Sequence, residues 1–419
     1  MLIWYARSME TIKRENYLSR IRPYYDSPLI KVITGIRRCG KSEILKQIMK
    51  EIENGGVDKN HIIYLDLENI QCRNIKSVEK LENAVVSLIK DENKYYIFID
   101  EIQNIPKFEI GIAAIRNSLN CSLFVTGSNS KLLAGKLQDR LTGRAKEFEV
   151  YPFTYNEYLE YKKINGIKLT PDDFRDYLRF GGMPQRFEEA NEIEIRKYLI
   201  GLHSSIIKKD VYGSHKRIDK VQFKTVAEYI SSTSGRLFSA LSAAKKLKEN
   251  LTKEEQRSFS NLINKYAEYL KECYLITECK PAYLKGKERL NGTRKFYSID
   301  VGIRMALGNA YDYDDTFALE AVIYNELLTR GYEVYYGKLR DNSEIDFVTM
   351  KNGKKCFIQV AYVINSQEVK DREYGAFDTI TDGSPRYVLS LDQFDSSTNG
   401  ATHLYIIDFL LGKVDIHLS

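Results

Sequence analysis

The order of apolar and polar positions divides the chain into three stretches. In the first 150 residues, short apolar runs alternate with amphipathic segments. Runs at 28–34, 62–67, 95–99, 122–126 and 146–150 have strand length and β-rich composition. Between them, Ile44, Leu45, Ile48, Met49 and Ile52 recur at helical spacing, and a second helical pattern covers about 78–90. Strands that alternate with helices predict a parallel sheet covered by helices.

The middle of the chain is helical. Patterns at 172–179 and 188–205 flank a turn, Gly181-Gly-Met-Pro184. Three more helices are predicted at about 221–232, 239–248 and 259–270. The last of these spaces Phe259, Leu262, Ile263, Tyr266, Tyr269 and Leu270 along one face. A hairpin-like pair follows, 274–277 and 295–299, with turns at Lys285-Gly-Lys287 and Asn291-Gly292. Three helices and a two-stranded basic wing describe a winged helix. The third stretch predicts a helix carrying Glu320 and Glu326, then strands at 333–336, 343–348 and 355–361.

Length and composition bound these patterns. The chain has 419 residues, which at about 150 residues per domain predicts two or three domains. Apolar residues make up 43% and charged residues 29%, a globular balance and too apolar for disorder. No apolar run reaches the roughly 18 residues of a membrane span. The start is too short in apolar residues for a signal-peptide core, and Met9 is a candidate native start beside Met1. The six cysteines form no CxxC pair and the five histidines do not cluster with them. Reduced thiols, a cytoplasmic location and no zinc site are therefore expected.

The net charge of +6 is unevenly spread. Residues 1–200 hold 32 Lys/Arg against 28 Asp/Glu, net +4. Residues 201–300 hold 20 against 11, net +9, and residues 301–419 hold 11 against 18, net −7. A basic middle and an acidic end suggest separate modules, one of which meets a polyanion.

The strongest chemical signal follows the first strand. Gly35-Ile36-Arg37-Arg38-Cys39-Gly40-Lys41-Ser42 fits GxxxxGK[ST], and a helix begins at once with Glu43 close behind. Glycines let the backbone N–H groups face phosphate oxygens, and the helix adds its positive end. Lys41 would reach the β and γ phosphates of ATP, and Ser42 would hold Mg²⁺. The run 95–99 ends in Asp100-Glu101. Asp100 would support Mg²⁺ and Glu101 would orient the attacking water. The strand 122–126 ends in Gly127-Ser128-Asn129-Ser130, where Asn129, with Ser128 second, is the candidate γ-phosphate sensor. A helix-capping role is the alternative. Arg140 and Arg144 are the candidates for stabilising phosphoryl-transfer charge, in their own or a neighbouring subunit.

Thr34-Gly-Ile-Arg-Arg-Cys-Gly-Lys-Ser42, Phe98-Ile-Asp-Glu-Ile-Gln103 and Thr126-Gly-Ser-Asn129 resemble a prokaryotic AAA-superfamily ATPase family. In that family the ATPase domain is joined to a C-terminal domain long labelled as of unknown function. Leu141-Thr-Gly-Arg-Ala145, Tyr151-Pro-Phe153 and Gly181-Gly-Met-Pro184 fit the same pattern. The resemblance implies an additional-strand P-loop domain, a winged helix and a homo-oligomer as a candidate state.

In a winged helix the third helix can enter the major groove and the wing can meet the backbone. Candidate phosphate contacts are Lys265, Lys271, Lys285, Lys287, Arg289, Arg294 and Lys295. The C-terminal stretch resembles the PD-(D/E)xK nuclease core. Glu320 or Glu326, Asp346 and Gln359 match its acids, but the lysine position holds Ala361. Asp346 and Gln359 are the candidate metal ligands of a degenerate site. Lys354 and Lys355 are the nearest lysines in sequence.

The expected fold class is α/β. A P-loop core spans 1–155, a helical lid or linker 156–215, a winged helix 216–310 and a nuclease-like domain 311–419. The expected function is Mg-dependent ATP hydrolysis driving conformational switching, with DNA as partner and no membrane. An ATP-regulated DNA nuclease and a non-catalytic nucleotide-dependent binding module are the alternatives.

Overall fold

The computed structural model describes residues 10–130, 143–283, 293–307, 315–338, 344–378, 380–398 and 400–419. The chain divides into two compact units. The first runs to Pro152 and adds 160–168 and 272–274. The second holds 153–159, 169–271 and 275–419.

In the first unit, helix α1 (Glu15–Ile21) precedes β1 (Ile30–Thr34), α2 (Lys41–Asn54), β2 (Ile62–Asp66), α3 (Val78–Leu88) and β3 (Tyr95–Asp100). Helix α4 (Phe108–Ser118), β4 (Cys121–Gly127) and β5 (Ala145–Glu149) follow. All five strands are parallel, in the order β2-β3-β4-β1-β5. Strands β1 and β3 are buried at every position, which is why their sequences are mostly apolar, with Lys31 the buried exception inside β1. Edge strand β2 alternates between buried and half-buried positions. Helix α2 buries Ile44, Leu45, Ile48 and Ile52, each contributing about 1.5–3 kcal/mol. The Ser77 hydroxyl caps α3 by accepting from the Lys80 N–H.

After residues 153–159, which begin a helix (Tyr155–Ile164), the second unit holds α5 (Asp173–Phe180) and α6 (Glu192–Ile206). It continues as α7 (Lys220–Ser232), β6 (Leu237–Phe238), α8 (Ala240–Leu247), α9 (Lys253–Glu272), β7 (Ile276–Tyr283) and β8 (Arg294–Ser298). Next come α10 (Val301–Leu307), α11 (Asp315–Thr329), β9 (Glu333–Lys338), β10 (Glu344–Lys351) and β11 (Lys354–Val360). The chain ends with α12 (Gln367–Gly375), β12 (Arg386–Ser390), β13 (Thr402–Tyr405) and α13 (Ile406–Leu410). One eight-stranded sheet runs β13-β12-β11-β10-β9-β7-β8-β6. Strand β7 pairs parallel with β9, from Lys280 opposite Tyr335 to Tyr283 opposite Lys338. The spans expected as 216–310 and 311–419 therefore share one sheet and one compact unit. Tyr297 of β8 stacks on Tyr324 of α11 at 4.2 Å and lies 5.9 Å from Phe347 of β10. This aromatic cluster lies in the core beneath the junction.

The Gly181-Gly-Met-Pro184 turn is a packing device. The Gly182 N–H donates to Asp300 Oδ2 at 2.7 Å, and the Gly182 carbonyl accepts from the Phe153 N–H at 2.8 Å. A Cβ at Gly182 would lie 2.0 Å from the Phe153 carbonyl oxygen, so no larger residue fits. Among the described residues, no helix is long and apolar enough to cross a membrane.

Candidate functional site

The glycine loop joins β1 to α2. Gly35 (φ +137°), Arg38 (φ +65°) and Gly40 (φ +103°) carry it through the left-handed region. A Cβ at Gly35 would meet the Val150 carbonyl oxygen at 2.2 Å. Lys41 is buried, and its ammonium donates to the Gly35 and Ile36 carbonyls, both at 3.0 Å. Arg37 pairs with Glu68, beyond β2, at 3.5 Å. The Cys39 thiol is fully buried against the Val150 carbonyl at 3.3 Å, and burial pushes its pKa up. It is a packing group and not a nucleophile.

A residue without a sequence motif supports this loop. Arg14 is 2% exposed. Its guanidinium donates to the carbonyls of Cys39 (3.1 Å) and Tyr151 (3.0 Å) and lies over the Tyr17 ring at 4.7 Å. Its backbone N–H donates to Gln47 Oε1 at 3.0 Å, which ties the segment to α2. The charge of Arg14 thus satisfies carbonyls that the loop turns inward.

The acid pair sits at the end of β3. Strand β4 lies between β3 and β1, and all three are parallel, so the glycine loop and Asp100-Glu101 leave the same edge of the sheet. Asp100 is buried and accepts from Tyr64 at 3.0 Å and from the Thr126 hydroxyl of β4. Burial and the Asp100 charge push the Tyr64 phenol up, so it stays a donor. Glu101 adopts φ +56°, with its N–H donating to Thr126 Oγ1 at 2.9 Å. Its carboxylate accepts from the Gln103 amide, which also reaches Ser128 Oγ at 3.3 Å. Ser128 and Asn129 are both buried at the end of β4.

Gly35 to Glu43, Asp100, Glu101, Ser128 and Asn129 are therefore grouped at one sheet edge. The residues present fit a nucleotide with Mg²⁺: a glycine loop, a lysine and a helix start after one strand, and two acids after the other. Arg140 lies outside the described residues. Arg144 departs from the expectation. Ala145 pairs with Ile30 and Glu149 with Thr34, so Arg144 is about 16 Å below the glycine-loop edge at roughly 3.3 Å per residue. It is exposed at the opposite end of the sheet and does not reach the site of its own subunit. Sequence spacing missed this because Arg144 precedes its strand, whereas the site follows the strands.

Residues 27–159 are similar to an AAA domain. That description belongs to the family model they match. Residues 171–314 match a domain of unknown function (DUF8612). An uncharacterized protein of Haemophilus influenzae is 29% identical over 409 residues, which cover 96% of this chain and 100% of that protein. An uncharacterized protein of Methanocaldococcus jannaschii is 28% identical over 365 residues, 83% of this chain and 78% of that one. Among solved structures, the Aeropyrum pernix ORC1 protein in complex with DNA aligns at TM-score 0.32 and 15% identity. That alignment covers 72% of this chain and 94% of that chain. AMPPCP-bound DnaA from Aquifex aeolicus aligns at TM-score 0.31 and 15% identity, covering 76% and 89%. With the geometry above, the family match marks the AAA-like unit as a P-loop ATPase fold in general.

Outside the AAA-like unit, the expected phosphate contacts divide. Lys285, Lys287 and Arg289 lie outside the described residues. Arg294 and Lys295 are corrected. Arg294 bonds Asn264 and lies 3.5 Å from Glu278 and 3.6 Å from Glu268. Lys271 pairs with the same two acids. Lys295 is 4% exposed and turned inward. The α9 helix instead exposes Lys253, Arg257, Asn261 and Lys265 at every fourth position.

Lys295 enters the expected nuclease-like centre. Its ammonium lies 3.1 Å from Glu320 Oε1 of α11 and 3.2 Å from Glu344 of β10. The Tyr297 hydroxyl also donates to Glu320. Asp346 sits at a β-bulge between β9 and β10. Its Oδ2 accepts from the Val360 N–H at 2.8 Å. Its own N–H donates to Gln359 Oε1 at 2.7 Å, and the Gln359 amide donates to Glu373 at 3.2 Å. Burial, with the Glu320 charge, pushes the Asp346 carboxyl well above the carboxylate range. Burial pulls Lys295 down, but the Glu320, Asp346 and Glu344 charges outweigh it and hold the lysine above its usual value. Of the two expected helix acids, Glu326 instead pairs with Arg330 at 2.7 Å. Lys355 pairs with Asp382 at 2.6 Å. Among the described residues, no group of three or more His, Cys, Asp or Glu is placed to hold a metal ion.

Proposed function

We propose that the protein binds ATP with Mg²⁺ in its AAA-like unit and hydrolyses it. One observation carries this reading: the glycine loop and Asp100-Glu101 leave the same sheet edge with one parallel strand between them. Ser42 and Asp100 would hold Mg²⁺, which neutralises charge on the phosphates. The loop N–H groups between Gly35 and Ser42 cradle the phosphates. Lys41 exchanges its two loop carbonyls for phosphate oxygens. Glu101, anchored at its N–H by Thr126, orients the water for in-line attack. Ser128 and Asn129 lie where the γ-phosphate state can be sensed. Arg144 lies at the far end of β5 from this site, so the site of a neighbouring subunit is the reading that remains for it.

We infer that residues 220–298 form a winged helix that holds DNA. The order helix, strand, helix, helix, strand, strand, with β6 and β7 both paired to β8, supports it. The exposed positions Lys253, Arg257 and Lys265 on its third helix supply phosphate contacts. The order α11-β9-β10-β11-α12-β12 supports a nuclease-like fold for the C-terminal part. The test is ATP turnover measured with and without duplex DNA over a salt series. DNA-stimulated turnover that weakens with salt supports both parts. No turnover under any condition sinks the first, and salt-independent or absent DNA binding sinks the second.

A further inference from the structure

The nuclease-like centre disagrees with the metal that its fold implies, and the disagreement has a local cause. A divalent cation needs free carboxylate and carbonyl lone pairs. Here many of them are already engaged from within the chain. Glu320 is shared between the Lys295 ammonium and the Tyr297 hydroxyl. Asp346 accepts from the Val360 N–H, and Gln359 spends its carbonyl on the Asp346 N–H and its amide on Glu373. Glu344 faces the same ammonium as Glu320. The position where the motif wants a lysine holds Ala361, buried and packed, with its N–H on the Leu389 carbonyl. The positive charge arrives from another strand, β8, which reaches the centre because β7 joins it to β9 in one sheet.

We propose that Lys295 is the resident counter-cation of this centre. Its ammonium takes the place of a divalent metal, and its ion pairs with Glu320 and Glu344, beside the buried Asp346, hold β8, α11 and β10 together. The centre is structural and does not cleave DNA. A buried acid cluster that loses the ammonium paired with it is left with uncompensated charge, so removing Lys295 creates a demand for a cation that the intact protein lacks.

The experiment uses the full chain without nucleotide and Mn²⁺ as the probe, with bound metal counted by titration and stability read by thermal unfolding. Wild type and Asp346→Asn should retain equal Mn²⁺ and show equal melting shifts. Lys295→Met should gain one Mn²⁺ and a rise in Tm of about 3–6 °C at saturating metal. Lys295→Met with Asp346→Asn should lose that gain. A wild type that holds one Mn²⁺ more than Asp346→Asn, or that cleaves DNA in an Asp346-dependent way, overturns the proposal. So does a folded Lys295→Met that gains no metal. If Lys295→Met does not fold, the comparison of wild type with Asp346→Asn decides alone.

Discussion

The hydroxyl of Thr126 accepts the Glu101 N–H at 2.9 Å and donates to Asp100. One side chain on β4 therefore fixes both acids at the end of β3. Thr126→Val keeps the shape and removes the hydroxyl. It should lower kcat about 10–100-fold with little change in ATP affinity, because the lost contact positions the water-orienting group and not the phosphates. Thr126→Ser should retain most of the rate. Steady-state kinetics of the two variants check this, and normal turnover by Thr126→Val would contradict it.

Arg14 should matter as much as a motif residue. Its truncation to Ala leaves the Cys39 and Tyr151 carbonyls without their charged donor. A loss of about 2–3 kcal/mol in unfolding free energy is expected, together with weaker ATP binding, since the same carbonyl of Cys39 lies within the glycine loop. Denaturant unfolding and nucleotide titration of Arg14→Ala test both effects. An unchanged midpoint would show that the contacts contribute nothing.

The loop, the acid pair and the strand rhythm were legible because their chemistry is local. A strand, two glycines, Lys41 and a helix lie within 30–54, and the apolar run ending at Asp100 marks its own strand. Arg14 was not legible, because its partners are carbonyls, which have no sequence signature. Lys295 was misplaced for a related reason. Its sequence neighbours, Arg294 and the basic turn, suggested an exposed wing, whereas strand alternation and the β7–β9 pairing turn it towards Glu320. The shared eight-stranded sheet was hidden because pairing of distant strands leaves no trace in local pattern. Arg144 shows the same limit, since chain order does not say which end of a sheet a residue occupies.

Asp300 predicts a pH dependence in the second unit. Burial pushes its carboxyl up to about 6 from 3.8, although it accepts the Gly182 and Ile303 N–H groups. The folded state therefore binds this proton more tightly than the unfolded one. Its contribution to stability is greatest below about pH 4, declines as pH rises towards 6, and is level above that. Unfolding measured from pH 4 to 7 should show a steeper decline in wild type than in Asp300→Asn. Equal slopes would contradict the assignment.

The exposed Lys253, Arg257 and Lys265 of α9 predict a division among lysines and arginines. Arg257→Ala and Lys265→Ala should weaken DNA binding uniformly across sequences, each lowering the salt slope by about 1. Arg294→Ala, whose charge is already met by Glu268 and Glu278, should leave the slope unchanged. A salt series by fluorescence anisotropy separates them. A loss of slope in Arg294→Ala alone would reverse the assignment.

ATP turnover and nucleotide retention in wild type, Lys41→Ala and Glu101→Gln test the central claim most directly. Wild type should hydrolyse ATP. Lys41→Ala should bind no nucleotide. Glu101→Gln should bind ATP as tightly as wild type but turn it over about 100-fold more slowly. Wild-type turnover in both variants would contradict the account.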